Sequence, residues 1–202
     1  MPTTLLPIAR ATDAHLHQAA EALADAVADG IGWGVRSVAD RVAALAEHRA
    51  RVRAGAAPAA YRLVLHGPRD AAPTGAGWCG WVPLADGAWQ SSTYLAPHLR
   101  GTGLLDRLRC AQVHDAAAVT RAAAAAGEGP PRFASTIDVR NARSLAASLG
   151  YARRAGWRVD PGTWREVDQP DRGRRVVVLD WPPEVAWGAA PHPCVRRRRA
   201  AA

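Results

Sequence analysis

The chain has 202 residues, of which 49% are hydrophobic and 22% charged, and its formal net charge is +8. That length can bury a proper core in one domain, and no apolar run approaches the roughly 20 residues a membrane span needs. All 26 basic residues are arginine, which excludes a Walker A loop and a Schiff-base lysine.

Residues 4–9 read as a first strand. Asp13 can cap a helix that runs to about residue 28, with Leu16, Ala20, Leu23 and Val27 on one face. Glycines at 30, 32 and 34 break it. A second helix follows over about 37–53, with Val38, Val42, Leu45 and Ala46 inward and Arg41, Glu47, Arg49 and Arg51 mostly outward. Three β-prone runs come next, over 61–66, 76–84 and 88–95. Asp86-Gly87 between the last two is a hairpin signal, so these strands are expected to be antiparallel.

A glycine-spaced turn then leads into a long Leu/Ala/Arg helix, with Thr102 as its expected N-cap and an end near 126. A fifth strand spans 132–139. Asn141, the one Asn in the chain, stands where it can cap a short helix over 142–148, stopped by Gly150. Two last strands are predicted over 151–159 and 174–181. Residues 1–183 are read as one domain, and 184–202 as an irregular, disordered tail ending in the arginine run 196–199. A solvated tail of that kind accounts for half the net charge and predicts no nucleic-acid partner. Cys79, Cys110 and Cys194 are odd in number and far apart, which argues against a disulfide framework and fits a reducing cytoplasm.

The turn carries the chemistry. Gly101 and Gly103 can take dihedrals closed to other residues, leaving first-turn amides of the long helix pointing outward. Those amides and the positive end of the helix dipole suit an anion, phosphate above all, and Arg100 adds a bidentate donor at the lip. The competing reading is a plain strand-to-helix turn with a solvated arginine.

Leu95-Ala96-Pro97-His98-Leu99-Arg100-Gly101-Thr102-Gly103-Leu104 resembles the acyl-CoA loop of the GNAT superfamily of N-acetyltransferases. Asp138-Val139-Arg140-Asn141, followed by Ser144, Leu149, Gly150 and Tyr151, resembles that family's later motif. The resemblance covers nearly the whole chain. It implies an α+β, GNAT-like fold with a mixed, mostly antiparallel sheet of six to seven strands and about four helices, in the order β-α-α-β-β-β-α-β-α-β-β. It implies acetyl-CoA as cosubstrate and no metal. Leu95, Ala96 and Pro97 would lie along the pantetheine arm, and Arg100, Gly101, Thr102, Gly103, Leu104 and Leu105 around the pyrophosphate. Asn141 would bind the pantetheine side or cap its helix, and Ser144 would touch coenzyme A.

The implied reaction is attack of a primary amine on the thioester in a ternary complex. The acceptor would be a small molecule, an amino acid or peptide, or a protein N-terminus. No membrane partner is expected; a homodimer is compatible. Departures accompany the likeness: Leu105 replaces a smaller residue, Ala146 stands where many members carry a Tyr acid, and the fourth strand has no carboxylate. The candidate proton carriers are Tyr94, His98 and Asp138, with water as the alternative. A second reading is a catalytically degenerate GNAT-like module that binds coenzyme A or contacts an acidic partner. Among other features, Cys110 and His114 share a helix face. Trp33, Trp78, Trp81 and Trp89 suit either core or an aromatic acceptor pocket.

Overall fold

The computed structural model describes residues 3–22, 24, 37–67, 74–84, 86–160, 164–169 and 174–188. Seven strands form one hydrogen-bonded sheet in the order β1-β2-β3-β4-β5-β7-β6. They are β1 (Thr3–Pro7), β2 (Tyr61–His66), β3 (Thr74–Pro83), β4 (Trp89–Leu95), β5 (Phe133–Asp138), β6 (Trp164–Gln169) and β7 (Arg174–Asp180). The helices are α1 (Asp13–Glu21), α2 (Val38–Arg53), α3 (Leu104–Ala125) and α4 (Ala142–Ala155). The pairs β1/β2, β2/β3, β5/β7 and β6/β7 are antiparallel, while β4/β5 is parallel. The chain clusters into two compact units, one of Met1–Gly80 with Thr93–Leu105 and one of Trp81–Ser92 with Asp106–Ala202.

In the first unit, Ile8, Leu16, Leu45, Leu63 and Val64 are buried to 2% exposure or less and form the apolar centre. Thr12, not Asp13, caps α1: its hydroxyl accepts from the His15 amide, and the His15 ring accepts from the Thr12 amide. Asp13 is the first helical residue, where its carboxylate favours the helix dipole and receives Arg49 Nη2 at 2.5 Å. Arg49 and Arg53 also donate to the carbonyls of Ala11 and Ala9, binding α2 to the turn before α1. Ser37 caps α2 as its position suggests. The glycine break and Trp33 lie outside the described residues.

In the second unit the Asp-Gly hairpin forms: Leu84 and Ala88 pair across it, and Gly87 takes φ +77. Aromatic packing dominates. Trp81 meets Phe133 and Trp181 with centroids 4.7 Å from each, and Trp157 lies 4.8 Å from Trp181. Their polar handles are satisfied, Trp81 Nε1 by Gln112 O and Trp181 Nε1 by Ser135 Oγ, each at 2.8 Å.

Three expectations are corrected in this unit. Gly150 does not stop the helix after Asn141, which continues to Ala155. Gly156 ends it with φ +78, and Trp157 follows. A lone glycine inside a helix costs only about 1 kcal/mol, and here a buried face of Ser148, Tyr151, Ala152 and Ala155 outweighs that cost. Tyr151 is therefore helical, and the sixth strand is β6, beyond the proline-glycine stretch. Cys79 is a buried thiol in no disulfide, but Cys110 is disulfide-bonded; separation along the chain does not decide which sulfurs folding brings together. Past β7, a 3-10 turn over Pro183–Trp187 buries Val185 and Ala186, so ordered packing reaches beyond residue 183.

Trp81→Ala should lower the unfolding free energy by about 3–5 kcal/mol. Trp187→Ala, at a side chain 67% exposed, should change it by about 0.5 kcal/mol or less; urea denaturation of both variants checks the contrast. Burial, reinforced by Arg51 and Arg41, holds the His48 imidazole below its ordinary value of 6.5. The unfolded chain then binds a proton that the folded chain refuses, so this contribution to stability is present above about pH 6.5 and falls away as the pH drops. His48→Asn should flatten the part of the stability profile that lies below about pH 6.5.

Candidate functional site

Between β4 and α3 the chain makes a 3-10 turn over Pro97–Leu99 and then two left-handed steps, Gly101 at φ +80 and Gly103 at φ +78. A residue with a Cβ is strained at such angles by about 1–2 kcal/mol. A Cβ built on either glycine meets nothing within 4 Å, and both residues are exposed. The left-handed turn, not close packing, therefore requires glycine here, and the space above it is open. The helix that follows is 22 residues long.

Thr102 is not the N-cap. The helix begins at Leu104, so Gly103 precedes it, and the Thr102 hydroxyl donates backwards to Leu99 O at 2.8 Å. The Arg100 amide donates to Pro97 O, so the outward amides begin at Gly101 rather than at Arg100. Among the described residues, the amides of Gly101, Thr102 and Gly103 find no acceptor. Arg100 is exposed; its Nε donates to Leu95 O at 3.0 Å and its guanidinium carbon stands 5.7 Å from the Tyr94 ring centroid. Leu104 is buried and Leu105 half-buried, so the protein takes up part of the bulk that sets Leu105 apart from the family pattern. Asp106, a carboxylate in the first turn, is paired with Arg154 at 2.6 Å, which offsets a charge unfavourable to a bound anion.

Along the preceding strand, Leu95 and Ala96 are buried, and Ala96 N donates to Ala76 O at 2.9 Å. That donor and one acceptor direction of Leu95 O are already engaged within the protein. The parallel register of β4 with β5 joins Trp89 to Phe133 and Gln90 to Ala134; β4 then continues to Leu95.

The three candidate proton carriers differ. Tyr94 donates its hydroxyl to Ala22 O at 2.6 Å, and its ring stacks on Trp78. Asp138 accepts from the Arg140 amide at 2.9 Å and from its side chain, Oδ1 to Nε at 3.0 Å and Oδ2 to Nη2 at 2.7 Å. This carboxylate holds Arg140 above its ordinary value, through the hydrogen bond first and charge second. His98 is exposed, with its ring 6.0 Å from that of His66, and makes no hydrogen bond to the described residues.

In the second unit Asn141 caps α4, its Oδ1 accepting from Ser144 N at 3.0 Å. The Tyr151 hydroxyl is buried without a partner, and burial first, with Asp106 adding to it, pushes its pKa well above 10 against the opposing charges of Arg109 and Arg154. Arg109, 5% exposed, donates to Gln112 and Ser148. His114 is exposed and Cys110 is bonded, so they do not form a thiolate pair. Trp78 and Trp81 are core and Trp89 is half-buried.

Arg41 was expected to point outward and does not. It is half-buried, with its guanidinium carbon 3.9 Å from the Trp78 ring centroid. The signal lay in the spacing, since Arg41, Leu45 and His48 recur at i, i+4 and i+7 on one face of α2.

Among the described residues no three His, Cys, Asp or Glu side chains gather as a metal site, and no helix is long and apolar enough to cross a membrane.

No protein-family model matches the sequence, and no curated protein does. Solved structures match in fold. An N-acetyltransferase from Staphylococcus aureus Mu50 aligns with TM-score 0.55 and 11% identity, over 91% of this chain and 99% of its own. YncA from Salmonella typhimurium, a candidate acetyltransferase solved with its cofactor acetyl-CoA, aligns with TM-score 0.55 and 17% identity over 90% and 94%. A candidate GNAT-family acetyltransferase from Bordetella pertussis gives TM-score 0.51 and 15% identity over 89% and 95%. The strand order, the glycine turn and these alignments agree: the chain is built on the fold of the GNAT N-acetyltransferases.

Proposed function

We propose that this protein moves an acetyl group from acetyl-CoA to a primary amine, in a ternary complex of both substrates. The observation that carries the reading is the turn before α3. Two left-handed glycines with open space above them expose amides at the positive end of a 22-residue helix. That donor set fits the pyrophosphate of coenzyme A, and Gly101, Thr102, Gly103, Leu104 and Leu105 would hold it with Arg100 at the side. Leu95, Ala96 and Pro97 would border the pantetheine arm. Asn141 would contribute chiefly by fixing the start of α4, since its Oδ1 accepts from the Ser144 amide, while the Ser144 hydroxyl would touch coenzyme A.

Acetyl-CoA, when bound, supplies the activated acyl group. The protein's share is to position both reactants and to take the proton from the attacking ammonium. Tyr94 and Asp138 are engaged elsewhere, so His98 or water is the better carrier. The same engagement of Tyr94 and Asp138 favours, as the second reading, a module that binds coenzyme A without turnover. Thiol release from acetyl-CoA across a panel of primary amines decides between them, and turnover of at least one amine is expected. The acceptor would be a small molecule or peptide, and the setting cytoplasmic.

Gly103→Ala should weaken acetyl-CoA binding at least tenfold by calorimetry. Gly127→Ala, at a glycine with nearly the same φ of +77 and equally open surroundings, should cost a similar ~1 kcal/mol in stability and leave affinity unchanged. Equal affinities for the two variants would remove the turn from coenzyme binding. Tyr94→Phe should leave kcat within about threefold; a fall of about a hundredfold would make its hydroxyl a proton donor in the reaction.

A further inference from the structure

The first unit contains a row of four stacked groups whose far end the coenzyme reading leaves unexplained. The Arg41 guanidinium lies 3.9 Å from the Trp78 centroid, Trp78 stacks on Tyr94 at 5.0 Å and 27°, and Arg100 stands 5.7 Å from the Tyr94 ring. Cation, ring, ring and cation thus run from α2 to the glycine turn. The Arg100 end has an anion assigned to it, the pyrophosphate. The Arg41 end has none.

Arg41 donates through Nη2 to the Tyr61 hydroxyl, and its Nε is buried with no acceptor. No carboxylate among the described residues pairs with it; Asp40 and Glu47 on the same helix are exposed. His48, one further step along that face, packs its ring edge on Tyr61 at 5.1 Å, and its Nε2 is likewise buried and unpartnered. A guanidinium drawn partly out of water loses hydration that an anion restores. Its plane is fixed by Trp78 on the face and Tyr61 on the edge, so it is held ready to pair with an oxyanion.

We propose that Arg41 anchors the carboxylate of the amine acceptor, which makes the acceptor class amino acids and other small primary amines that carry a carboxylate. This rests on the acetyl-transfer reading. An amine lacking the carboxylate leaves the guanidinium desolvated and unpaired, and a site built around a polar partner rejects such analogues strongly.

The test is calorimetry on the full chain saturated with coenzyme A, titrated with the common L-amino acids and with their carboxamides. At least one acid should bind, and its carboxamide should bind about ten- to a hundredfold more weakly, the span of a charge-assisted hydrogen bond. Arg41→Gln should erase that difference and Arg41→Lys restore part of it, both with unchanged affinity for coenzyme A. The proposal is overturned if no acid binds, if acid and carboxamide bind equally, or if Arg41→Gln binds the acid as tightly as the parent. Thiol release with the same panel separates the two readings. Acid binding without turnover keeps the anchor and overturns acetyl transfer, whereas turnover of carboxamides as efficient as that of acids keeps transfer and overturns the anchor.

Discussion

The left-handed turn between β4 and α3 is the constraint on which the proposed chemistry depends. A strand that ends at Leu95 and a helix that begins at Leu104 must be joined in eight residues, and the chain manages it with a 3-10 turn and two positive φ angles. Only glycine takes those angles without strain. The same geometry that solves the joining problem leaves the amides of Gly101, Thr102 and Gly103 without acceptors among the described residues. On the proposed reading, that structural necessity doubles as an anion site.

Several polar side chains in and next to that turn are engaged in holding it. The Arg100 Nε fastens the turn to Leu95 O, Thr102 closes it on Leu99, and Arg154 takes the charge of Asp106 in the first turn of α3. Tyr94 spends its hydroxyl on the carbonyl beyond α1 and its ring on Trp78. A residue engaged at both ends is a strut. This is why proton transfer is better assigned to His98 or to water than to Tyr94, and why the stack running back to Arg41 can fix cations with little conformational freedom left to lose on binding.

The second unit relies on aromatic volume. Trp81 meets Phe133 and Trp181 edge to face, Trp157 lies tilted against Trp181, and the indole N–H groups of Trp81 and Trp181 reach Gln112 O and Ser135 Oγ. In a chain with a single Phe and eight Trp, most of the aromatic area available for burial carries an N–H that needs a partner, so polar atoms such as Ser135 and the Gln112 carbonyl belong to the core.

The local grammar of the sequence determined a great deal by itself. Strand β2, the Asp-Gly hairpin, the Ser37 and Asn141 caps, the long helix and the glycine turn were all legible, because each is set by dihedral preference or periodicity within a few residues. Features decided by partners distant in the chain were not. The helix containing Gly150 continues because its far face is buried; Thr102 gives its cap role to Gly103 because its hydroxyl finds Leu99; Cys110 is bonded despite its isolation in the sequence. Arg41 turns inward because a tryptophan on β3 offers it a surface. Local residues specify which conformations are allowed, whereas tertiary contacts supply the burial and the partners that choose among them.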